Sequence, residues 1–103
     1  MKKVLSLIGL GYRAGNVSIG VERVRDDLRA GRTYCVVVAE DASTRAHDKA
    51  VRLAIARGIP VIRGPSAQVL GAELGKPPVM VVGMRDRGLT DGILSLELEA
   101  VRR

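Results

Sequence analysis

The sequence predicts an α/β fold of the α/β/α sandwich type, because four short apolar runs alternate with amphipathic segments along the chain. The run Tyr34–Ala39 is rich in β-branched residues and apolar on both faces, which is typical of a central strand covered by helices. The length of 103 residues suits one domain with a substantial core. We therefore expect residues 1–103 to form a single domain.

The first third of the chain divides at its glycines. Apolar residues recur at helical spacing from Lys2 towards Ala14, and Gly15-Asn16 then breaks the helix. Val17–Ile19 follows as a short strand. The segment from Gly20 to Ala30 is amphipathic, and Gly31 is placed to end this second helix in a left-handed cap.

The middle of the chain is predicted as strand, helix and strand. After the strand at 34–39, either Ser43 or Asp41 can cap a helix that stops at Gly58. Pro60–Arg63 is the third strand. This order places Asp41 at a helix start, where a carboxylate more often caps than catalyses.

The last third begins with Ser66 as the cap of a fourth helix, which ends at Gly75. Val79–Met84 is the fourth strand, preceded by two prolines that favour extended backbone. The tail alternates like a strand but also has a helical apolar face. We predict a helix that starts at Thr90, because threonine can cap it and the Leu and Glu residues that follow favour it.

The charge balance indicates an anionic partner. Seventeen Lys and Arg residues against eleven Asp and Glu residues give a net charge of +6, which attracts polyanions. Aromatic residues make up 2% of the chain, so a stacking platform for single strands is hard to build and structured RNA or DNA fits better. The alternative is that the charge serves solubility alone.

The sequence also indicates a cytoplasmic protein. No apolar run approaches the ~20 residues needed to span a bilayer, so we expect no membrane partner. The basic start at Met1 lacks a cleavage site and is interpreted as the first helix. The single cysteine, Cys35, cannot form an intrachain disulfide, which favours a reducing compartment.

No residue pattern predicts catalysis, a metal or a cofactor. His47 is the only histidine and is interpreted as a solvated helix residue, while Cys35 lies in a strand that offers a thiolate no exposed, base-assisted setting. One His and one Cys cannot make a closed zinc site without carboxylates at improbable places. We expect a protein that is not an enzyme.

A nucleotide-binding module is one alternative. Gly9, Gly11 and Ala14 mimic the Gly-x-Gly-x-x-Ala turn of dinucleotide-binding folds, and Glu40 ends the next long strand where a ribose-binding acid would sit. That fingerprint needs a helix to begin at the glycines, whereas Gly15-Asn16 breaks the chain at once. Glycines that allow close helix packing explain the pattern better.

The candidate binding site combines the start of the second helix, Ser18–Arg23, with the loop Gly75–Pro78. If the sheet brings the two together, backbone amides, Arg23 and Lys76 form a cluster suited to phosphate and base-edge contacts. The alternative is an ordinary helix cap and an ordinary loop. Spacing alone does not decide between them.

The order of these motifs resembles a known family. The motifs are Gly20 at a helix start, Val37–Ala42, Gly58–Val61, and the pairs Leu70-Gly71 and Leu74-Gly75. They are similar to the ribosomal L-seven-Ae/L-thirty-e superfamily of kink-turn RNA binders, and most like its bacterial YlxQ-like branch. The resemblance implies a three-layer sandwich around a four-stranded mixed sheet, and an RNA partner in translation or on the ribosome.

The resemblance also implies which residues contact RNA. Kink-turn binders of the family open this helix with Gly-x-Asn-Glu and place a lysine three residues after the Glu. Gly20 matches, but Glu22 and Arg23 stand where Asn and Glu are expected, and Asp26 replaces the lysine. The residues expected to contact RNA are Ser18, Gly20, Val21, Glu22, Arg23, Asp26, Gly75, Lys76, Pro77 and Pro78.

Three functions are therefore weighed. The favoured one is a non-enzymatic binder of structured RNA, kink-turn-like or ribosomal, with ribosomal or translation proteins as further partners. The second is a protein-interaction adaptor on the same fold, whose basic surface serves solubility or an acidic partner. The third is the nucleotide-binding module that uses the turn at Gly9, Gly11 and Ala14.

Overall fold

The computed structural model describes the backbone of residues 1–102 and the side chains of residues 1–98, so Arg103, the last residue of the predicted domain, lies outside the described part. Helices and strands alternate along the chain from the first element to the last. Their bounds are α1 Lys2–Arg13, β1 Val17–Ile19, α2 Val21–Arg29, β2 Cys35–Val38, α3 Thr44–Ala56, β3 Val61–Arg63, α4 Ala67–Glu73, β4 Val81–Met84 and α5 Arg87–Arg102. Among residues 1–102, no helix is long and apolar enough to cross a membrane.

The four strands form one mixed sheet in the order β1-β4-β2-β3. Strand β4 lies between β1 and β2 and is antiparallel to both, whereas β2 and β3 are parallel. The pairs Ser18–Gly83 and Val36–Gly83 define the register of β4 against its two neighbours. The prediction of a three-layer α/β/α sandwich with a four-stranded mixed sheet is confirmed.

Each face of the sheet carries its own apolar core. On one face, Val37, Val82 and Met84 pack in a cluster with residues of α1, α4 and α5. On the other face, Val36, Val38 and Val81 pack with residues of α2 and α3. Alternate residues of β2 therefore serve opposite cores, as strand geometry requires.

The predicted helix ends agree with the structure at most positions. Gly31 has a φ of 73°, the left-handed conformation predicted after α2, and Gly75, where α4 was predicted to end, has a φ of 66°. Ser43 caps α3 by accepting from the Ala46 amide at 3.1 Å. Asp41, the other predicted cap of α3, instead accepts from the Ala67 amide at 2.7 Å, the first amide of α4, whose cap is Ser66 as predicted.

The tail is a helix, as predicted, but its predicted start at Thr90 is wrong. Helix α5 begins at Arg87, and Asp86 Oδ1 accepts from the Leu89 amide at 2.9 Å in the position of a cap. Thr90 is buried, and its hydroxyl lies 3.8 Å from Cys35 Sγ. An acidic residue one turn earlier takes the capping role and leaves the threonine to face the core.

The glycines of the nucleotide-binding alternative lie inside α1, not at a strand-to-helix turn. Both Gly9 and Gly11 are buried. A Cβ on Gly11 would lie 3.0 Å from Met84 Cε and 3.1 Å from Leu89 Cδ1. These glycines therefore let α1 pack closely against the sheet and α5, and the chain has no phosphate-binding turn at this point.

The buried Cys35 generates a prediction about alkaline stability. Burial raises the pKa of its thiol from 9.0 to about 11, and the contact with the Thr90 hydroxyl opposes part of that rise. The buried neutral thiol contributes to the free energy of unfolding; this contribution is fully present below pH 9 and is lost as the pH rises towards 11. We expect the free energy of unfolding to fall by on the order of 2 kcal/mol more in the wild type than in Cys35→Ala over this range.

Urea unfolding at a series of pH values measures this difference. Cys35→Ala is expected to be less stable at every pH because it leaves a cavity, so only the pH dependence is compared. Parallel stability curves for the two proteins above pH 9 would contradict the prediction.

Candidate functional site

Three helices begin at one edge of the sheet. Strands β1, β2 and β3 point the same way, because β1 and β2 are both antiparallel to β4 and β3 is parallel to β2. Their carboxyl ends meet at this edge, which is also where the chain enters β4. We call it the carboxyl edge. The first turns of α2, α3 and α4 therefore bring backbone amides and positive dipole ends to one region of the surface.

The start of α2 is held at this edge by β4. Gly20 is the N-cap residue with φ 93°, and its amide donates to the Val81 carbonyl at 2.9 Å. No side chain caps the helix, and nothing lies within 4 Å of a Cβ built on Gly20. The first amides of α2 thus have no side-chain acceptor, which makes this helix start suited to an anion.

The side chains of the first turns of α2 have different roles. Val21 is partly buried and packs in the core that α2 shares with α3. Glu22 is exposed, and its Oε1 lies 3.7 Å from Lys49 Nζ on α3. Asp26 is exposed and lies 3.4 Å from Arg29 Nη1. Each of the two carboxylates therefore has a basic neighbour that offsets part of its charge.

Arg23 extends from the same first turn. It is exposed, and no carboxylate of residues 1–98 lies within 4 Å of it. Its guanidinium can therefore donate to a bound anion without first breaking an ion pair.

The loop Gly75–Pro78 is exposed but firmly attached to α4. The Lys76 amide donates to the Gly71 carbonyl at 2.9 Å, and the Val79 amide donates to the Ala67 carbonyl at 2.9 Å. A Cβ on Gly71 would overlap the backbone of Lys76 and Pro77. The absence of a side chain at Gly71 therefore lets the loop lie directly on the helix, while Pro77 and Pro78 restrict its shape.

The start of α2 and the loop meet in one groove. Arg23 and Lys76 line this groove together with Tyr12, Val17 and Ile19, and its volume is about 280 Å³. Lys76 Nζ lies 5.8 Å from the centre of the Tyr12 ring, a cation–π distance that holds the ammonium over the groove. The two segments that the sequence analysis paired are therefore adjacent in the structure. We call this the first groove.

A second groove, of about 270 Å³, lies beside the first and shares Arg23 with it. Ser18 lies in this groove, but it is buried and its hydroxyl donates to the Gly83 carbonyl at 3.4 Å. Its role is therefore in the strand rather than at an exposed surface. Asp26 lines the same groove, whereas six other predicted residues line neither of the two: Gly20, Val21, Glu22, Gly75, Pro77 and Pro78.

Sequence reasoning missed the ion pair in this second groove. Asp27 is 6% exposed and accepts from Arg85 Nη2 at 3.0 Å, and Arg85 Nε lies 2.8 Å from Asp27 Oδ2. The helical spacing could have indicated that Asp27 is buried, because it falls between Val24 and Leu28 on the buried face of α2. Its partner, Arg85, follows β4 and lies 58 residues away, so the sequence pattern could not identify it.

The remaining candidate residues form no reactive cluster. His47 is exposed, and its Nδ1 lies 3.3 Å from Asp48 Oδ1. It lines a groove of about 340 Å³ with Glu40 and Arg63 at the carboxyl edge, whereas Cys35 is buried at the start of β2. Among the side chains of residues 1–98, no group of three His, Cys, Asp or Glu residues could hold a metal ion.

Comparison with known proteins gives consistent results. The model of the Ribosomal protein L7Ae/L30e/S12e/Gadd45 family matches residues 2–91. A curated relative, the RNA-binding protein YlxQ of Bacillus subtilis (strain 168), is 32% identical over 90 residues, which cover 87% of this chain and 90% of the relative.

Two solved structures have the same fold. A protein with unknown function from Bacillus halodurans C has a TM-score of 0.86 and 31% identity, over 91% of this chain and 95% of that one. The Giardia lamblia 15.5kD RNA binding protein has a TM-score of 0.75 and 18% identity, over 93% of this chain and 84% of that one. At 18% identity, the second likeness concerns the fold alone.

The contact between Gly71 and the loop generates a second prediction. Gly71→Ala is expected to lower the free energy of unfolding by about 1–3 kcal/mol, because the backbone of Lys76 and Pro77 has to move away from the added methyl group. Urea unfolding measures the loss. The control is Gln68→Ala at an exposed position of the same helix, expected to change stability by less than about 0.5 kcal/mol. Equal stability of Gly71→Ala and wild type would show that the loop does not need this close approach.

Proposed function

The chain belongs to the Ribosomal protein L7Ae/L30e/S12e/Gadd45 family, and from this premise we propose that it is a non-enzymatic protein that binds structured RNA. The membership confirms the family resemblance seen in the sequence, and it agrees with the prediction that the chain is not an enzyme. The observation that carries the proposal is the meeting of Arg23 and Lys76 in the first groove, beside the uncapped start of α2.

The charges of the first groove support RNA as the ligand. Arg23 and Lys76 have no carboxylate within 4 Å in the described part of the chain, so both are available to phosphates. The net charge of +6 adds long-range attraction for a polyanion. Amides at the start of α2 and arginine side chains both bind phosphate oxygens in known interfaces. The proposed RNA-contacting residues therefore centre on Arg23 and Lys76, with Gly20 supplying the close approach of the backbone.

The first turns of α2 support structured RNA in general more than a tightly bound kink-turn. In the family pattern a lysine faces the RNA where Asp26 stands here. A carboxylate at this position repels phosphates and cannot donate to guanine acceptors. Lys49 beside Glu22 and Arg29 beside Asp26 reduce this repulsion without reversing its sign. We propose that a kink-turn binds this protein only modestly better than a plain duplex.

The family name supports a role on the ribosome or in translation, with ribosomal RNA as one candidate ligand. A cytoplasmic location, the absence of a membrane partner and contacts with ribosomal or translation proteins belong to the same proposal. The adaptor alternative uses the same fold but needs no RNA, and it differs in one measurable respect. An adaptor should show no RNA affinity that depends steeply on salt.

Lys76→Ala tests the proposal through the salt dependence of RNA binding. For the wild type we expect the affinity for a structured RNA to fall about tenfold or more between low and physiological ionic strength, because bound phosphates release counterions. Lys76→Ala should weaken binding by roughly 1 kcal/mol and reduce the slope of log affinity against log salt by about one. Fluorescence anisotropy with a kink-turn RNA and a duplex of equal length measures both slopes.

The matched control is Lys3→Ala, which removes the same charge from an exposed position of α1. It is expected to leave the slope within about 0.3 of the wild-type value. Identical plots of log affinity against log salt for the wild type and Lys76→Ala would show that the loop is not part of the interface. A kink-turn preference of several hundredfold would show that Asp26 does not weaken recognition as proposed.

A further inference from the structure

We propose that the RNA-binding surface continues along the free edge of β1 and that this edge takes a single-stranded RNA segment flanking the structured element. This inference rests on the proposed function and extends it to residues that neither the sequence pattern nor the family comparison assigns. The surface consists of Lys76, Tyr12, Arg23, Arg32, Arg85 and Tyr34 in spatial order. We call it the β1-edge tract.

The tract is continuous because three neighbouring grooves share their lining residues. The first and second grooves share Val17 and Arg23. The second groove shares Arg32 and Arg85 with a third groove of about 450 Å³, which Tyr34 also lines. The tract therefore runs from the carboxyl edge of the sheet to its opposite edge. A ligand bound at the start of α2 can follow it without leaving the surface.

The two tyrosines of the chain are its only aromatic residues, and both lie in this tract. Tyr12 lines the first groove under the Lys76 ammonium, and Tyr34 lines the third groove with 43% of its surface exposed. Exposed aromatic rings are the groups on which unpaired bases stack. The low aromatic content predicted a poor platform for single strands, but the fold concentrates the aromatic residues at the two ends of one groove system.

The charge of the tract suits a phosphodiester backbone. It carries four cations, Lys76, Arg23, Arg32 and Arg85, against the two carboxylates Asp26 and Asp27. Asp27 is engaged by Arg85, and Asp26 lies near Arg29. Arg32, like Arg23 and Lys76, has no carboxylate within 4 Å in the part of the chain that the structure describes. A positive groove with aromatic ends is the arrangement that single-stranded nucleic acids bind.

The backbone of β1 adds polar groups to the tract. Asn16 and Gly20 face β4, because the Arg85 amide donates to the Asn16 carbonyl at 2.8 Å and the Gly20 amide donates to the Val81 carbonyl at 2.9 Å. Antiparallel pairing alternates along a strand, so the amides and carbonyls of Val17 and Ile19 point away from the sheet. These unpaired groups can contact base edges or ribose hydroxyls of a strand that lies in the tract.

The dimensions favour a short nucleotide segment over an added peptide strand. Residues 16–20 in extended conformation span about 14 Å, so this edge offers only a short length of backbone to a ligand. Strand β1 itself has three residues, fewer than the usual five or six that pair in a stable ladder. The charged side chains at both ends also fit phosphates better than the backbone of an incoming peptide.

The test compares one hairpin RNA with and without a single-stranded extension of about ten nucleotides of mixed sequence, placed at the 5′ end or at the 3′ end. For the wild type we expect one extension to raise the affinity about tenfold. Tyr34→Ala and Arg32→Ala should each reduce this gain by a factor of about five and leave the affinity for the blunt hairpin unchanged. Tyr34→Phe should keep the gain, since its ring stacks equally well. Fluorescence anisotropy at fixed salt gives the affinities, and thermal unfolding checks that each variant is folded.

The control is Arg52→Ala, which removes an exposed arginine from α3 outside the tract and should leave the gain unchanged. If the wild type binds the blunt hairpin but gains nothing from either extension, the tract is not a single-strand site. A gain that survives both Tyr34→Ala and Arg32→Ala would equally overturn the inference. Failure of the wild type to bind the blunt hairpin at low salt would overturn the proposed function, and the inference about the β1-edge tract would fall with it.

Discussion

The antiparallel insertion of β4 between β1 and β2 determines what lies beside each end of β1. At one end of β4, the hydrogen bond from Gly20 to Val81 places the start of α2 beside the loop that carries Lys76. At the other end, the hydrogen bond from Arg85 to Asn16 fixes the far end of β1. Because β1 pairs on one side only, its outer edge remains open to a ligand. Both the first groove and the β1-edge tract follow from this one topology.

Electrostatic pairing explains how a helix with several acidic residues can border a site for a polyanion. The charge of the buried Asp27 is neutralised by Arg85. Removing either residue would strongly destabilise the fold, because the remaining charge would be buried without a partner. Glu22 lies in a weaker and more exposed pair, which contributes little to stability. Arg23, on the same helix, is without such a partner among the described residues. The free cations, and not the total charge alone, therefore define where an anion binds.

The helix ends and strands could be predicted because they depend on neighbouring residues. The site could be predicted only in part, because it depends on contacts between residues that are distant in the sequence. Gly75 and Ser66 act over a few residues, and their roles as helix terminator and cap follow from backbone sterics and hydrogen bonding. The start of α5 was misjudged because Asp86 competes with Thr90 for the same task. The meeting of Arg23 with Lys76 depends on the place of β4 in the sheet, so the sequence could raise it as one alternative but its spacing could not decide it. The position of both tyrosines in one groove system carries no sequence signal, since it arises from tertiary contacts.

The central claim is that RNA contacts the start of α2 and the loop Gly75–Pro78. An amide chemical-shift titration of the folded protein with a structured RNA tests it most directly, because every backbone N–H reports separately. If RNA binds there, the largest shifts are expected at the amides of 20–23 and of Gly75, Lys76 and Val79, since Pro77 and Pro78 have no N–H, and these shifts saturate as RNA is added. Saturable shifts confined to α3 and α5, with those two segments unchanged, would contradict the account.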